Sequence, residues 1–109
     1  MEDKRRFPRF PASFQIKYYP ASDDARVDYT IANDISRGGL SMPALSGIAK
    51  NNDIIKMCID QRDGEGSILA TGRVRWTNKR KRKALLDEDA GIEFIDIAPT
   101  DIDRLIKAR

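Results

Sequence analysis

Apolar and polar residues alternate along most of this chain, the period-2 pattern of half-buried strands. Phe14, Ile16 and Tyr18 alternate with Ser13, Gln15 and Lys17, and Pro20 closes the run. Val27, Tyr29 and Ile31 alternate with Asp28 and Thr30, and a short apolar stretch, Leu40 to Met42, follows the Gly38-Gly39 pair. Ile55, Met57 and Ile59 alternate with Lys56 and Cys58, after which Asp63-Gly64-Glu65-Gly66 reads as a turn. The run Ser67 to Thr77 sets Ala70, Gly72, Val74 and Trp76 on one face, with Thr71, Arg73 and Arg75 on the other. Ile92 and Phe94 mark a last strand. About six short strands with turns between them predict an all-β fold, a small antiparallel barrel or sandwich.

The C-terminus changes period. Pro99-Thr100-Asp101 resembles a helix start, and Ile102, Leu105 and Ile106 then form an i, i+3, i+4 stripe. Asp101 and Asp103 come early and Lys107 and Arg109 late, the order a helix dipole prefers. A helix over 100–108, packing on the barrel or closing one end of it, is predicted.

Composition narrows the function. At 109 residues with 40% hydrophobic positions the chain makes one domain, 1–109, with a single core. It has no histidine, which removes His-dependent triads, proton shuttles and imidazole metal sites. The one cysteine, Cys58, permits neither an internal disulfide nor a Cys-cluster zinc site. It alternates within a strand and reads as a small hydrophobe, with a reactive thiol as the other reading. No apolar run spans a membrane and the N-terminus lacks a signal-peptide core, so the expectation is a cytoplasmic domain that is not an enzyme. The net charge of +3 is mild, so the placement of charge matters more than its sum.

Two segments carry unusual chemistry. In Lys4-Arg5-Arg6-Phe7-Pro8-Arg9-Phe10-Pro11, four cations lie in a stretch that two prolines keep out of helix and out of a central strand. Guanidinium groups suit phosphate oxygens and guanine edges. Alone, the segment reads as a solvated basic tail. The second segment, Asn33-Asp34-Ile35-Ser36-Arg37-Gly38-Gly39-Leu40, offers a carboxylate, a hydroxyl and two glycines between strands. Alone, it reads as an Asx- or Ser-stabilised turn.

Together, Arg5-x-x-x-Arg9 before the first strand and Asp34-x-Ser36-x-x-Gly39 after the second resemble the paired signature of the PilZ domain family. Gly72-Arg73-Val74-Arg75-Trp76 and Gly91-Ile92-Glu93-Phe94 before a terminal helix extend the resemblance over nearly the whole chain. It implies a six-stranded antiparallel PilZ-type barrel with a short C-terminal helix and a flexible arm over 1–11. It also implies binding of the bacterial second messenger cyclic di-GMP, with no further cofactor. In that reading Arg5 and Arg9 contact phosphates and guanine edges, Asp34 accepts from the guanine N1/N2 edge, Ser36 adds a polar contact and Gly39 leaves room for the base. A dianion with two purines needs cations, flat donors and one carboxylate, which agrees independently.

The neighbours divide. Lys4 stands where many relatives carry another arginine, a position associated with holding one ligand or an intercalated pair. Arg6 and Arg37 either add phosphate contacts or are solvated, and Gly38 accompanies Gly39 in the turn. Trp76 is either an aromatic beside the ligand or a core tryptophan of the barrel. The cationic run Lys79-Arg80-Lys81-Arg82-Lys83 reads as a solvated loop between the last two strands, or as a docking patch for a partner or for nucleic acid. A different class remains as the alternative, a basic barrel binding single-stranded nucleic acid. Its stacking platforms would need more exposed aromatics than a 7% aromatic content supplies.

Overall fold

The strand at Gln15–Pro20 shows why the sheet forms as the alternation predicts. Phe14, Ile16 and Tyr18 are fully buried, and the polar residues between them face water. The computed structural model describes residues 7–45, 50–61, 66–79 and 87–108. Within them lie β1 (Phe10–Pro11), β2 (Gln15–Pro20), β3 (Asp28–Ile31), β4 (Asp34–Ile35), β5 (Gly39–Leu45), β6 (Ile54–Asp60), β7 (Ser67–Lys79), β8 (Asp87–Asp96) and the helix α1 (Pro99–Ala108).

All eight strands join one antiparallel sheet, ordered β1-β4-β5-β8-β7-β6-β2-β3. Six of them are the predicted strands. The two additions, β1 and β4, are two residues each and pair with one another, Phe10 opposite Ile35 and Pro11 opposite Asp34. The sheet curls into a half-barrel. Where the chain leaves β3, the Asn33 amide donates to the Ser41 carbonyl of β5 at 2.8 Å, and the Ala32 amide donates to Phe14 at 2.9 Å. These bonds draw the β3 end of the sheet toward β5.

The core lies on the concave face. Ile55, Met57 and Ile59 of β6, Ala70 and Val74 of β7, and Ala90 and Ile92 of β8 all point into it. Tyr18 is 0% exposed, and its hydroxyl avoids a buried-polar penalty by donating to Asp28 Oδ2 at 2.7 Å. Cys58 is half-buried, on the face of β6 opposite Met57.

Three expectations change. The apolar residues of β3 do not enter the core: Tyr29 is 71% and Ile31 51% exposed, because β3 is the last strand of the sheet and turns that face outward. Asn78 and Lys79, assigned to a loop, continue β7, opposite Asp89 and Glu88 of β8. The rest of the basic run, 80–83, and the turn at 63–65 lie outside the described residues.

The third change is at Trp76. Val74 pairs with Ile92 and Trp76 pairs with Gly91, so Arg75 is the extra residue of a β-bulge. A bulge shifts the alternation by one. Ala90 and Ile92 face the core, so the partner of Gly91 does not. Trp76 therefore leaves the core face it was given by simple alternation, and it is half-buried.

The helix follows its prediction closely. Pro99 opens it, where a missing amide hydrogen costs nothing, and the amides of Asp101 and Ile102 are satisfied by the Ala98 carbonyl. Leu105 is 0% exposed and belongs to the barrel core. Leu105→Ala should therefore destabilise the domain by about 2–5 kcal/mol. Urea unfolding followed by tryptophan fluorescence measures this, and a loss below about 1 kcal/mol would mean that α1 is not a structural part of the core.

Candidate functional site

The turn between β4 and β5 is built by its own side chains. The Ser36 amide donates to the Gly39 carbonyl at 2.8 Å, the Gly38 amide donates to Ser36 Oγ at 3.2 Å, and the Ser36 hydroxyl donates to Gly39 O at 3.4 Å. Ser36 is buried and committed to holding the turn. Neighbouring elements fix it from outside. The Phe94 amide donates to the Gly38 carbonyl at 2.9 Å, and Gly39 pairs with Glu93.

Gly39 has a structural reason to be glycine. A Cβ there would run into the carbonyl oxygen of Ile92, with the Ile92 carbonyl carbon at 3.0 Å and Glu93 Cα at 3.2 Å. Backbone atoms cannot swing aside. The residue is thus required by the β5–β8 pairing whether or not a ligand is present, and its identity alone does not mark a binding site.

The described part of the arm, from Phe7, lies against this turn. Arg9 Nη1 is 3.6 Å from Asp34 Oδ2, with both side chains partly exposed. Such a pair is worth about 0–1 kcal/mol. The other oxygen of the same carboxylate, Asp34 Oδ1, is sealed from solvent and has no hydrogen-bond partner among the described residues. Leaving a buried acceptor unpaired costs about 1–3 kcal/mol. Asp34 therefore holds one oxygen toward a cation and another awaiting a donor.

Beside the arm and turn opens a cavity of about 290 Å³. Phe7 and Arg9 border it on the arm side, Ser36, Gly38 and Gly39 on the turn side, and Arg75, Trp76 and Glu93 across β7 and β8. Trp76 lies flat against the bare α-carbon of Gly91, where a Cβ would meet the indole. The bulge that moved Trp76 off the core has placed it here. Arg75 comes with it, 3.9 Å from Glu93, and the sequence reading missed this cation because regular alternation put it with Arg73. The bulge re-aims Trp76 onto the outward face that Arg75 already shares, and nothing in the local sequence announces a bulge.

The structure thus brings Arg9, Ser36, Gly38, Gly39 and Trp76 around one cavity, with Asp34 at its edge through Arg9. It does not bring Arg37 there. That guanidinium turns to the helix and pairs with Asp103 at 2.5 Å. Lys4, Arg5 and Arg6 lie outside the described residues.

Larger cavities exist, one of about 630 Å³ on the outward side of β2, β6 and β7. It contains none of the motif residues and has the mixed lining of an open groove, Lys17 and Lys56 with Asp96 and Asp101. Size alone does not make it the better site. Among the described residues no cluster of three or more His, Cys, Asp or Glu side chains could hold a metal ion. No described helix is long and apolar enough to cross a membrane.

Comparison with known proteins agrees with this architecture. No curated protein matches the sequence. Among solved structures, the chain is similar to the PilZ domain of YcgR from Escherichia coli with c-di-GMP, at a TM-score of 0.72 and 14% identity over 96% of this chain and 88% of that one. It is similar to the Bacillus subtilis inhibitor of motility MotI/DgrA, at a TM-score of 0.75 and 18% identity, over 97% of this chain and 49% of that one. The K. pneumonia MrkH–c-di-GMP complex gives a TM-score of 0.75 at 16% identity, over 98% of this chain and 51% of that one. The chain therefore spans about half the length of MotI/DgrA and MrkH. The PilZ domain family model matches residues 3–108, and with that match the chain belongs to the PilZ domain family.

Proposed function

We propose that this chain is a cyclic di-GMP receptor in which the ligand is gripped between the Arg5-x-x-x-Arg9 arm and the Asp34-x-Ser36-x-x-Gly39 turn. The observation that carries this reading is the meeting of the two motifs. Arg9 and Asp34, far apart in sequence, stand 3.6 Å apart beside an open cavity, and the carboxylate retains an unpartnered oxygen. A guanine edge presents adjacent N–H donors that suit such an oxygen, and guanidinium groups suit phosphates and the O6/N7 edge. E. coli YcgR and K. pneumonia MrkH, both similar in fold, are solved with c-di-GMP.

The cavity is at the lower end of the ~300–1,000 Å³ typical of small-molecule sites. It accommodates one base of the ligand, with Trp76 as its flat wall. The remainder lies under the arm, where Arg5 and Arg9 neutralise phosphate charge. Ligand contacts that exist in only one arm position then shift the arm toward that position, and the altered surface is what a protein partner reads. The described residues of the site supply binding groups, which suits a receptor or adaptor. Nucleic-acid binding has less support. Tyr29, the most exposed aromatic among the described residues, lies on β3 outside this cavity, so it adds no further stacking surface beside Trp76 for the successive bases of a longer strand.

Three outcomes test the map. Asp34→Ala should weaken cyclic di-GMP binding by about 1.5–3 kcal/mol in calorimetric titration. Its melting temperature should stay within about 5 °C, because only a surface ion pair is lost from the fold. A collapse of stability with normal binding by the folded fraction would make Asp34 a turn residue only.

Arg5→Lys and Arg9→Lys should each cost about 1.5 kcal/mol or more, since lysine keeps the charge but loses the planar fork. The double change should be less than additive, because the two arginines act in one arm. Near wild-type affinity for both single variants at low and high salt would leave attraction by charge alone.

If the run Lys79 to Lys83 is the solvated loop read from the sequence, neutralising it should leave affinity within about threefold, because charges outside a site alter steering and salt response more than binding. A loss equal to that at Arg9 would place the loop in the site.

A further inference from the structure

We propose that Phe7 is the peg that seats the arginine arm on the barrel, and that Gly38 is its socket. Phe7 is the first described residue of the arm and the only apolar side chain in the run Lys4-Arg5-Arg6-Phe7-Pro8-Arg9. A phenylalanine in a terminal basic segment would ordinarily stand in water. This one is only 36% exposed. Its ring lies over the α-carbon of Gly38, so closely that a Cβ at position 38 would come within 2.9 Å of Phe7 Cδ2 and 3.2 Å of Cε2. A side chain at 38 would push the ring off this position, so glycine lets it sit closest to the turn.

The position of this contact gives it a consequence. Gly38 is itself immobilised, its carbonyl accepting from Phe94 and its amide donating to Ser36 Oγ. Two residues after the peg, Arg9 meets Asp34, and two residues after that Pro11 enters the sheet opposite Asp34. Pro8 stiffens the link between ring and guanidinium by fixing its own φ. Phe7, Arg9 and Pro11 thus hold the arm to the β4–β5 turn at three successive points, of which Phe7 is the outermost. A ligand arriving at the cavity meets Arg9 already placed and does not bear the full entropy of ordering that stretch. Phe7 is a positioning residue and need not touch the ligand.

The affinity part of this inference rests on the cyclic di-GMP reading of the site; the seating part does not. The test therefore has two arms. In ligand-free protein, the aromatic ring should shift the Gly38 α-proton resonances upfield, Phe7→Ala should abolish the shift, and Phe7→Tyr should retain it. In calorimetric titration with cyclic di-GMP, Phe7→Ala should weaken binding about tenfold, with Phe7→Tyr within about threefold of wild type. Gly38→Ala, whose methyl evicts the ring, should weaken binding similarly, and the Phe7→Ala/Gly38→Ala double variant should be no worse than the weaker single variant.

Binding by Phe7→Ala as tight as wild type, or tighter, would overturn the proposal; the tighter result would mean that the ring merely fills space the ligand needs. Gly38 resonances indifferent to Phe7→Ala would overturn it equally. If wild-type protein failed to bind cyclic di-GMP at all, the ligand reading would fall, and the Gly38 resonances alone would decide the peg.

Discussion

The close approach of β5 to β8 at Gly39 is the constraint on which the site depends. Backbone meets backbone there, with the Ile92 carbonyl and Glu93 Cα filling the space of a side chain. That contact fixes the height of the β4–β5 turn above β8, and the Phe94–Gly38 hydrogen bond fixes its tilt. Everything functional hangs from this turn: Asp34 at its start, the Ser36 network inside it, and the Phe7 ring on top. The turn is held in place because it lies beside β8, which is paired with β5 on one side and β7 on the other. A rigid turn facing a terminal arm gives a preorganised half and an adjustable half, which suits a receptor that must convert occupancy into a change of surface.

Asp34 is the chemical centre of that arrangement. Its carboxylate is shared between a weak, partly exposed ion pair and a sealed oxygen without a partner among the described residues. A fold selected for stability alone would have paired that oxygen or exposed it to water. The cost is tolerable because β4 is held on both sides, by Pro11 of β1 and Ser41 of β5. The same pairing explains why an element of two residues persists. In the proposed site, β4 presents Asp34 and β1 brings the arm alongside it.

Much of this was legible in the sequence, and the parts that were not have identifiable causes. Strict alternation located β2, β6 and most of β7, because a strand with one face on the core and one in water must alternate. The helix was legible to within a residue, since Pro99, the stripe through Leu105 and the charge order agree. β3 alternates just as cleanly, yet Tyr29 and Ile31 face outward. Periodicity reports that two faces differ and does not say which is buried; edge position decides that, and edge position is a property of topology. β1 and β4 were invisible because two residues have no period. Their chemistry was nevertheless legible, since the arm and turn were singled out by residue type.

The two arginines beside the motifs show most clearly where sequence proximity misleads. Arg37 lies inside the turn signature, between Ser36 and Gly38, and is the natural candidate for an extra phosphate contact. The turn geometry points it away from the cavity and into an ion pair with Asp103 of α1, so it ties the turn to the helix. Arg75 lies in a regular strand with no motif, and by alternation belongs with Arg73 on the outer face. One extra residue in the β7–β8 ladder brings Trp76 onto that face as well, and the two border the cavity. A cation becomes part of a site through the backbone that aims it. Here the backbone feature is a bulge on the strand opposite the turn, so the cavity has two independently constructed walls: one encoded by the Asp-Ser-Gly signature, the other by an irregularity in pairing that no residue type reveals.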